Sequence, residues 1–300
     1  MYCFGCSANR FYLLLMKKRG LLISGGGTKI SGHAGFISAF ERMDIKFDSV
    51  AGVSAGAIIA PFAAGGKVLE NSDLFKSITP NLFWKKNPFS KRGGLSGFAL
   101  WQILRKKDHL GDFSNLKKTL KEHFPIEEYI RLKKEGKGIY AESVDFDTGS
   151  VILDSNWMHT YRKFIDAIVD SASIPLFSDV TSGADGGLRN HLPIKSLEKM
   201  GGMEELFCLY SRPEDLSGIL EPYNPRSILD PIQRAFSILM YEISKNDQEN
   251  IRRWALKEGV ILREFYMPKI MNGFYDTDLE RQKKLFEACE RIAFDRFHWG

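Results

Sequence analysis

Residues 21–56 constrain the fold more than any other part of the sequence. An apolar run at 21–23 is followed by three glycines at 25–27, a helical segment, and a second short strand that ends at the motif Gly-Val-Ser-Ala-Gly, residues 52–56. The helix is indicated by apolar residues three or four positions apart, namely Phe36, Ile37, Phe40 and Met43. A right-handed βαβ crossover brings the carboxyl ends of its two parallel strands to one edge of the sheet. We therefore expect the glycine loop and Ser54 to face each other.

The two glycine motifs indicate an anion cradle beside a nucleophile. Ser54 lies between glycines two positions away on either side, as in the strand-to-helix elbow that exposes a catalytic hydroxyl. The start of the following helix would stabilise negative charge that develops nearby. The N–H groups of Gly25, Gly26 and Gly27 are candidate oxyanion-hole donors because no side chain covers them. A lone G-x-S-x-G also occurs in chains without chemistry, so a purely structural turn stays open.

Two phosphate-binding patterns fail at the same loop. The pattern G-x-x-x-x-G-K-[ST] fails because His33 follows Gly32. The dinucleotide pattern G-x-G-x-x-G fails because Ile30 occupies the position of its last glycine. We therefore expect no nucleotide cofactor.

The composition is that of an ordinary soluble globular protein, with 44% hydrophobic and 26% charged residues. At 300 residues, one large domain is as compatible with the length as two. No transmembrane helix or secretory signal is visible, so we expect a cytoplasmic location, with peripheral membrane association and secretion without a signal peptide left open. Cys3 and Cys6 form a lone C-x-x-C, and Cys208 and Cys289 lie far away, so no metal site is expected.

Residues 67–137 concentrate the positive charge. They contain 16 Lys and Arg against 8 Asp and Glu, whereas the whole chain carries a net charge of only +5. Their loop at 82–94 interleaves aromatic rings with cations, which suits an anionic lipid surface. Single-stranded nucleic acid, or a lid whose rings point inward, are the alternatives. Apolar residues at 98–104 predict a helix that closes over the core. The candidate membrane contacts are Phe83, Trp84, Lys85, Lys86 and Phe89.

The second half of the chain supplies further strands and a candidate base. The sequence predicts a strand at 138–144, a hairpin partner at 151–153 and an amphipathic helix at 164–172. Asp185 then precedes two glycines, where aspartate ordinarily caps a turn. Beside a serine elbow it is also a candidate general base, because burial would raise its pKa and let it take the serine proton without a histidine. The last third predicts strands at 206–210 and 260–267, and helices at 227–245, 248–258 and 277–297.

Four segments occur in a characteristic order and separation between residues 21 and 193: GGGTKISGHAG, GVSAG, SASIPLF and DGGLRNHLP. Together they resemble the signature of the patatin-like acyl hydrolases, also called the patatin-like phospholipase family. The resemblance implies a three-layer α/β sandwich around a mostly parallel sheet, with a helical C-terminal part. It also implies that Ser54 is the nucleophile, that Asp185 is its dyad partner, and that the N–H groups of residues 25–27 form the oxyanion hole.

The same resemblance implies an activity and a domain organisation. The activity is hydrolysis of fatty-acyl esters in phospholipids, lysophospholipids or neutral lipids, without cofactor or metal and with no nucleic acid partner. The catalytic core is expected at 20–210, with a basic lid insertion at about 67–137. Residues 1–19 are expected to be an N-terminal extension, and residues 211–300 to complete the same domain.

Lys29 and Ile30 stand where the family usually has arginine and glycine. Lys29 keeps the positive charge without the bidentate fork of arginine, and it is a candidate contact for substrate or phosphate. Ile30 is incompatible with the positive φ that glycine would permit. The glycine loop is therefore expected to sit differently from that of the family.

Two other interpretations stay open. A Ser-Asp-His α/β-hydrolase needs a late histidine, and the histidines after Asp185 are His191 and His298. A catalytically silent protein would use the basic aromatic loop to bind membrane or nucleic acid and the glycine loop only as a turn. Labelling of Ser54 by a fluorophosphonate separates the silent protein from both enzymes.

Overall fold

The structure is a computed structural model that describes residues 17–90, 95–180, 183–214, 230–271, 273 and 275–298. Several features of the sequence lie outside the described residues. These are the Cys3 and Cys6 pair, most of the expected N-terminal extension, residues 91–94 of the basic loop, and the start of the helix predicted at 227–245.

The described strands form one seven-stranded sheet. They are β1 (Arg19–Ile23), β2 (Ser49–Val53), β3 (Gly138–Asp145), β4 (Val151–Ser155), β5 (Gly183–Asp185), β6 (Glu205–Tyr210) and β7 (Ile261–Tyr266). The strand order is β4-β3-β2-β1-β6-β7, and β5 pairs with β3. Neighbours from β3 to β7 in this order are parallel, whereas β4 and β5 run antiparallel to β3. The expected mostly parallel sheet is confirmed.

Helices cover the sheet. In chain order they are α1 (Ile30–Arg42), α2 (Ala55–Gly65), α3 (Ser72–Lys76), α4 (Pro80–Phe83), α5 (Gly97–Leu104), α6 (Ser114–His123), α7 (Ile126–Lys134), α8 (Tyr161–Ser171), α9 (Asp230–Glu258) and α10 (Leu279–His298). The two helices predicted at 227–245 and 248–258 are wrong as separate elements, because α9 is continuous. Asn246 and Asp247 disfavour a helix interior. The Asp247 carboxylate is nevertheless held in place, since it accepts hydrogen bonds from the backbone N–H groups of residues 191 and 192.

The two faces of the sheet bury different clusters. Alternate residues of a strand point to opposite faces. In β1, Leu21 and Ile23 belong to the cluster that α1, α2, α8 and α10 cover, whereas Leu22 belongs to the opposite cluster. On that second face, α9 contributes Ile251 and the loop after Asp185 contributes Leu197. The arrangement is the three-layer α/β sandwich that the sequence predicts.

Elements from the last third of the chain join the first ones. β7 pairs in parallel with β6, which itself pairs with β1. Helix α10 packs along α1 so closely that a Cβ on Gly35 would lie 2.2 Å from the carbonyl oxygen of Phe286. Glycine at this position is therefore what permits the two helices to approach.

Helix α5 lies where the sequence predicts it, but its orientation corrects the prediction that it closes over the core. Its large apolar side chains are mostly exposed, and its buried residues are Ala99 and Gln102. Hydrophobic periodicity identifies a helix but does not say which side meets the protein. Among the described helices, none is both long enough and apolar enough to span a bilayer.

Candidate active site

Strand register brings Ser54 and Asp185 together although they are 131 positions apart. Ser54 directly follows β2, whose last residue, Val53, lies opposite Glu142 of β3. Asp185 ends β5, which pairs with β3 so that Asp185 lies opposite Ser143. Adjacent positions of β3 thus hold the two side chains at the same edge of the sheet.

The backbone at Ser54 is strained as the G-x-S-x-G pattern predicts. Ser54 has φ 54° and ψ −121°, a conformation that non-glycine residues rarely adopt. A Cβ on Gly52 would lie 2.1 Å from the backbone of Gly56, and a Cβ on Gly56 would lie 2.2 Å from the carbonyl oxygen of Ile23. Both glycines are therefore needed for the tight passage from β2 into α2.

The Ser54 hydroxyl donates a hydrogen bond to Asp185 Oδ2 at 2.6 Å. The other carboxylate oxygen accepts from the N–H of Gly187 at 2.8 Å, and the N–H of Asp185 donates to the carbonyl of Ser173 at 2.8 Å. Burial raises the pKa of Asp185 to about 6, against the opposing effect of the hydrogen bonds from Ser54 and Gly187. This carboxylate can therefore accept a proton near neutral pH and release it again.

Ser171 positions the serine elbow, and we did not single it out from the sequence. Its hydroxyl accepts a hydrogen bond from the N–H of Ser54 at 3.0 Å and donates one to the carbonyl of Glu142 at 2.5 Å. The elbow is thereby tied to β3 and to the end of α8. The available sequence signal was its position as the first residue of the SASIPLF segment.

The three glycines of the loop differ in what their N–H groups contact. The N–H of Gly25 donates to the carbonyl of His191 at 3.0 Å, so one of the three expected oxyanion donors is already engaged. The N–H groups of Gly26 and Gly27 head the short 3-10 turn Gly27–Lys29, and they have no acceptor among the described residues. Gly27 has φ 58° and lines the same cavity as Ser54. Two predicted donors are thus free to bind a ligand.

Lys29 lies behind the glycine loop, which corrects its predicted role as a substrate or phosphate contact. Its ammonium group donates to the carbonyl of Ser211 at 3.1 Å, and burial lowers the pKa of Lys29 to about 8. It is not among the residues that line the cavity at Ser54. Ile30 has φ −50° and simply begins α1, since the positive φ of this loop falls at Gly27.

Ser211 also supports the loop from behind. Its N–H donates to Ser24 Oγ at 2.9 Å, and its hydroxyl donates to the carbonyl of Gly25 at 2.5 Å. A Cβ on Gly26 would lie 2.7 Å from the Cβ of Ser211, so the two residues are in direct contact. No sequence pattern indicated these contacts, because more than 180 positions separate Ser211 from the loop.

A Ser-Asp-His triad would depend on His191 or His298. The His191 Nε2 lies 3.0 Å from Ser211 Oγ, and burial lowers the pKa of His191 to about 3, so the ring is neutral. Among the described residues, Asp185 receives its side-chain hydrogen bonds from Ser54 and Gly187 and from no histidine. The side chain of His298 lies outside the described residues. The described geometry favours a dyad.

An apolar cavity of about 560 Å³, measured with its opening to solvent, adjoins Ser54. Apolar walls with a few convergent polar groups suit a ligand that is mostly hydrocarbon. The aromatic residues of the wall are Phe83, Trp84, Phe89, Phe113, Phe177 and Tyr275.

The aromatic rings predicted to contact a membrane line this cavity instead. Trp84 is only 7% exposed, and Phe83 and Phe89 are partly buried. Phe89 packs against Tyr275 with 4.5 Å between ring centroids. The ring contacts are thus corrected to a lid with inward-pointing rings, because covering the cavity removes their apolar surface from water. The two exposed candidates are Lys85 and Lys86.

Comparison with known proteins identifies the family and the fold. The model of the patatin-like phospholipase family matches residues 21–198. The fold is similar to that of VipD from Legionella pneumophila, with a TM-score of 0.53 and 13% identity over 93% of this chain and 66% of that one. A second similar structure is the type III effector protein ExoU, with a TM-score of 0.48 and 12% identity over 94% of this chain and 53% of that one.

The chain therefore spans less than two thirds of the length of either protein.

Within the part of the chain that the structure describes, no group of three or more His, Cys, Asp or Glu side chains is placed to hold a metal ion. The family match covers more than half of the sequence and includes both glycine motifs and the Asp185 segment. This chain belongs to the patatin-like phospholipase family.

Proposed function

We propose that this protein is a lipid acyl hydrolase of the phospholipase A or lysophospholipase type, with Ser54 as nucleophile and Asp185 as general base. The observation that carries the proposal is the 2.6 Å hydrogen bond between Ser54 Oγ and Asp185 Oδ2 beside an apolar cavity. Membership of the family supports a lipid ester as substrate. The cavity supports a fatty-acyl chain as the part of the substrate that the protein holds.

The first half of the reaction forms an acyl-enzyme. Ser54 Oγ attacks the ester carbonyl while Asp185 takes its proton, which gives a tetrahedral oxyanion. The free N–H groups of Gly26 and Gly27 stabilise that negative charge. The carbon–oxygen bond to the alcohol then breaks, and the proton on Asp185 passes to the departing alkoxide.

The second half releases the fatty acid. Asp185, ionised again, takes a proton from water as that water attacks the acyl-enzyme carbonyl. The same N–H groups hold the second oxyanion. The carbon–oxygen bond to Ser54 breaks, its oxygen recovers the proton from Asp185, and the fatty acid leaves.

Labelling and product analysis together test the proposal. We expect a fluorophosphonate to modify Ser54, and mass spectrometry to show fatty acid release from at least one class in a panel of phospholipids, lysophospholipids and neutral glycerides. Ser54→Ala should lose both signals. Ser77→Ala is the matched control, because the Ser77 hydroxyl is exposed and donates a hydrogen bond to the carbonyl of Asp73 in its own helical turn. A wild-type protein that takes up no label and releases no fatty acid would be the silent binding protein instead.

Activity should decline in acid. The base must be ionised, and burial raises the pKa of Asp185 to about 6. We therefore expect kcat/KM for a soluble ester to be level above this pH and to fall about tenfold per pH unit well below it. The rate of fluorophosphonate labelling should show the same acid limb, since it needs the same proton transfer. Constant rates down to pH 4 would contradict the assignment of Asp185 as base.

A further inference from the structure

Helix α5 exposes an apolar face that nothing in the described chain covers. Soluble proteins rarely leave contiguous large apolar side chains in water unless the patch binds something. The residues buried on its other side are Ala99 and Gln102. The exposed fractions are 53% for Leu100, 48% for Trp101, 49% for Ile103 and 82% for Leu104.

The buried side of α5 packs against residues that line the cavity at Ser54. Ala99 shares one apolar cluster with Trp84 and Phe177, and both of these rings line the cavity. The hydroxyl of Ser96, which caps α5, accepts a hydrogen bond from the N–H of Ala99 and so fixes the start of the helix. Helix α5 therefore forms a layer outside the aromatic residues that line the cavity, and its exposed face points away from them.

Cations border this face. The exposed Arg-Lys-Lys run at 105–107 directly follows α5, and the Arg105 guanidinium lies 4.7 Å from the centroid of the Trp101 ring. Lys85 and Lys86 are exposed and directly follow Trp84 of the same cluster. The ion pairs found in the described chain involve none of these five cations, and Asp108, which follows Lys107, is hydrogen-bonded to His109 instead. Their charge is thus available to an anionic partner.

We propose that α5 and the cations at 85–86 and 105–107 dock the protein on the surface of an anionic lipid bilayer. Leucine, isoleucine and tryptophan enter the boundary between headgroups and acyl chains, while lysine and arginine contact the lipid phosphates. The charge of the border selects a bilayer over an uncharged apolar partner. This inference rests on the proposed function for its purpose, since docking there places the cavity wall against the membrane that holds the substrate.

Vesicle binding by the Ser54→Ala protein tests docking without hydrolysis. We expect it to co-sediment with vesicles that contain phosphatidylserine, and to bind far less to pure phosphatidylcholine or at high salt. Leu104→Ser should lower partitioning about tenfold. Replacing all three residues at 105–107 by glutamine should lower it about 100-fold on the anionic vesicles only.

Leu256→Ser is the matched control. Leu256 is 86% exposed, comparable to Leu104, but it lies on α9, which packs on the other face of the sheet. The Leu256→Ser variant should partition onto vesicles to the same extent as the parent protein. Urea unfolding midpoints should be the same for both serine variants, because neither side chain contributes to a buried cluster.

Activity separates this inference from the proposed function. With Ser54 intact, Leu104→Ser should hydrolyse a soluble ester at the wild-type rate and vesicle lipid about tenfold more slowly. If no ester is hydrolysed but vesicles bind as described, the proposed function fails and docking stands. Equal partitioning of the Leu104 and Leu256 variants overturns the docking surface. So does a dimer in light scattering that Leu104→Ser dissociates without any vesicle binding, because the face would then belong to a second copy.

Discussion

Ser54→Ala, Asp185→Asn and the double variant are expected to lose the same factor in ester hydrolysis, on the order of 10³–10⁴-fold in kcat/KM. The 2.6 Å hydrogen bond makes the two side chains one unit, in which the hydroxyl is reactive only while the carboxylate takes its proton. Residues that act as a unit are not additive, so removing the second one costs nothing further. Independent roles would instead multiply the two losses.

Steady-state kinetics on a soluble ester compare the two single variants and the double variant without interference from membrane binding. Asparagine is nearly isosteric with aspartate and can still accept a hydrogen bond from Ser54, so the Asp185→Asn variant should remain folded. Asp73→Asn, on the exposed surface of α3, is the matched control and should keep full activity. Asp185→Asn activity within tenfold of wild type would remove Asp185 from the chemistry and reopen the search for a histidine.

The site was predictable where it follows from local pattern. The strand, glycine loop and helix at 21–42 and the serine elbow at 52–56 are read from periodicity and from glycine spacing, and the structure contains both. Asp185 was found through its two glycines and the family resemblance. Its strand, β5, has only three residues, which is too short for an alternating pattern to reveal.

Contacts that span the chain could not be read in the same way. The Ser211 hydroxyl donates to the carbonyl of Gly25, and the Ser171 hydroxyl accepts from the N–H of Ser54. The backbone carbonyl of His191 accepts from the N–H of Gly25. In each pair the two residues lie more than 100 positions apart, and no local pattern connects one with the other. Propensity describes a residue together with its neighbours in sequence, so it cannot assign such pairs.

Orientation was the other gap. The rings at Phe83, Trp84 and Phe89 and the face of α5 were recognised as apolar, but the sequence did not determine which way either of them faces. For the rings, the sequence left a membrane contact and an inward-pointing lid both open, and in the structure the rings line the cavity. For α5, the sequence predicted packing over the core, whereas its large apolar side chains face outward. An amphipathic pattern shows that a helix has one apolar and one polar side. Tertiary packing decides whether the apolar side is buried in the protein or exposed.

Gly56→Ala is expected to destabilise the protein and to displace its nucleophile. The added Cβ would lie 2.2 Å from the carbonyl oxygen of Ile23 and 2.8 Å from that of Ser24. These are backbone atoms at the end of β1, which is hydrogen-bonded to β2 on one side and β6 on the other. Because β1 cannot move, α2 must move away from it.

That displacement carries Ser54 with it, since Ser54 immediately precedes α2. We expect the free energy of unfolding to fall by about 3 kcal/mol, at the upper end for overpacked sites. We also expect fluorophosphonate labelling to slow by about 100-fold, the typical cost of a 1 Å misplacement of a reacting group. Gly201→Ala is the control, because a Cβ there meets no atom within 4 Å. If urea unfolding and labelling of Gly56→Ala matched wild type, the elbow would not be held by contact with β1, and the strain at Ser54 would need another cause.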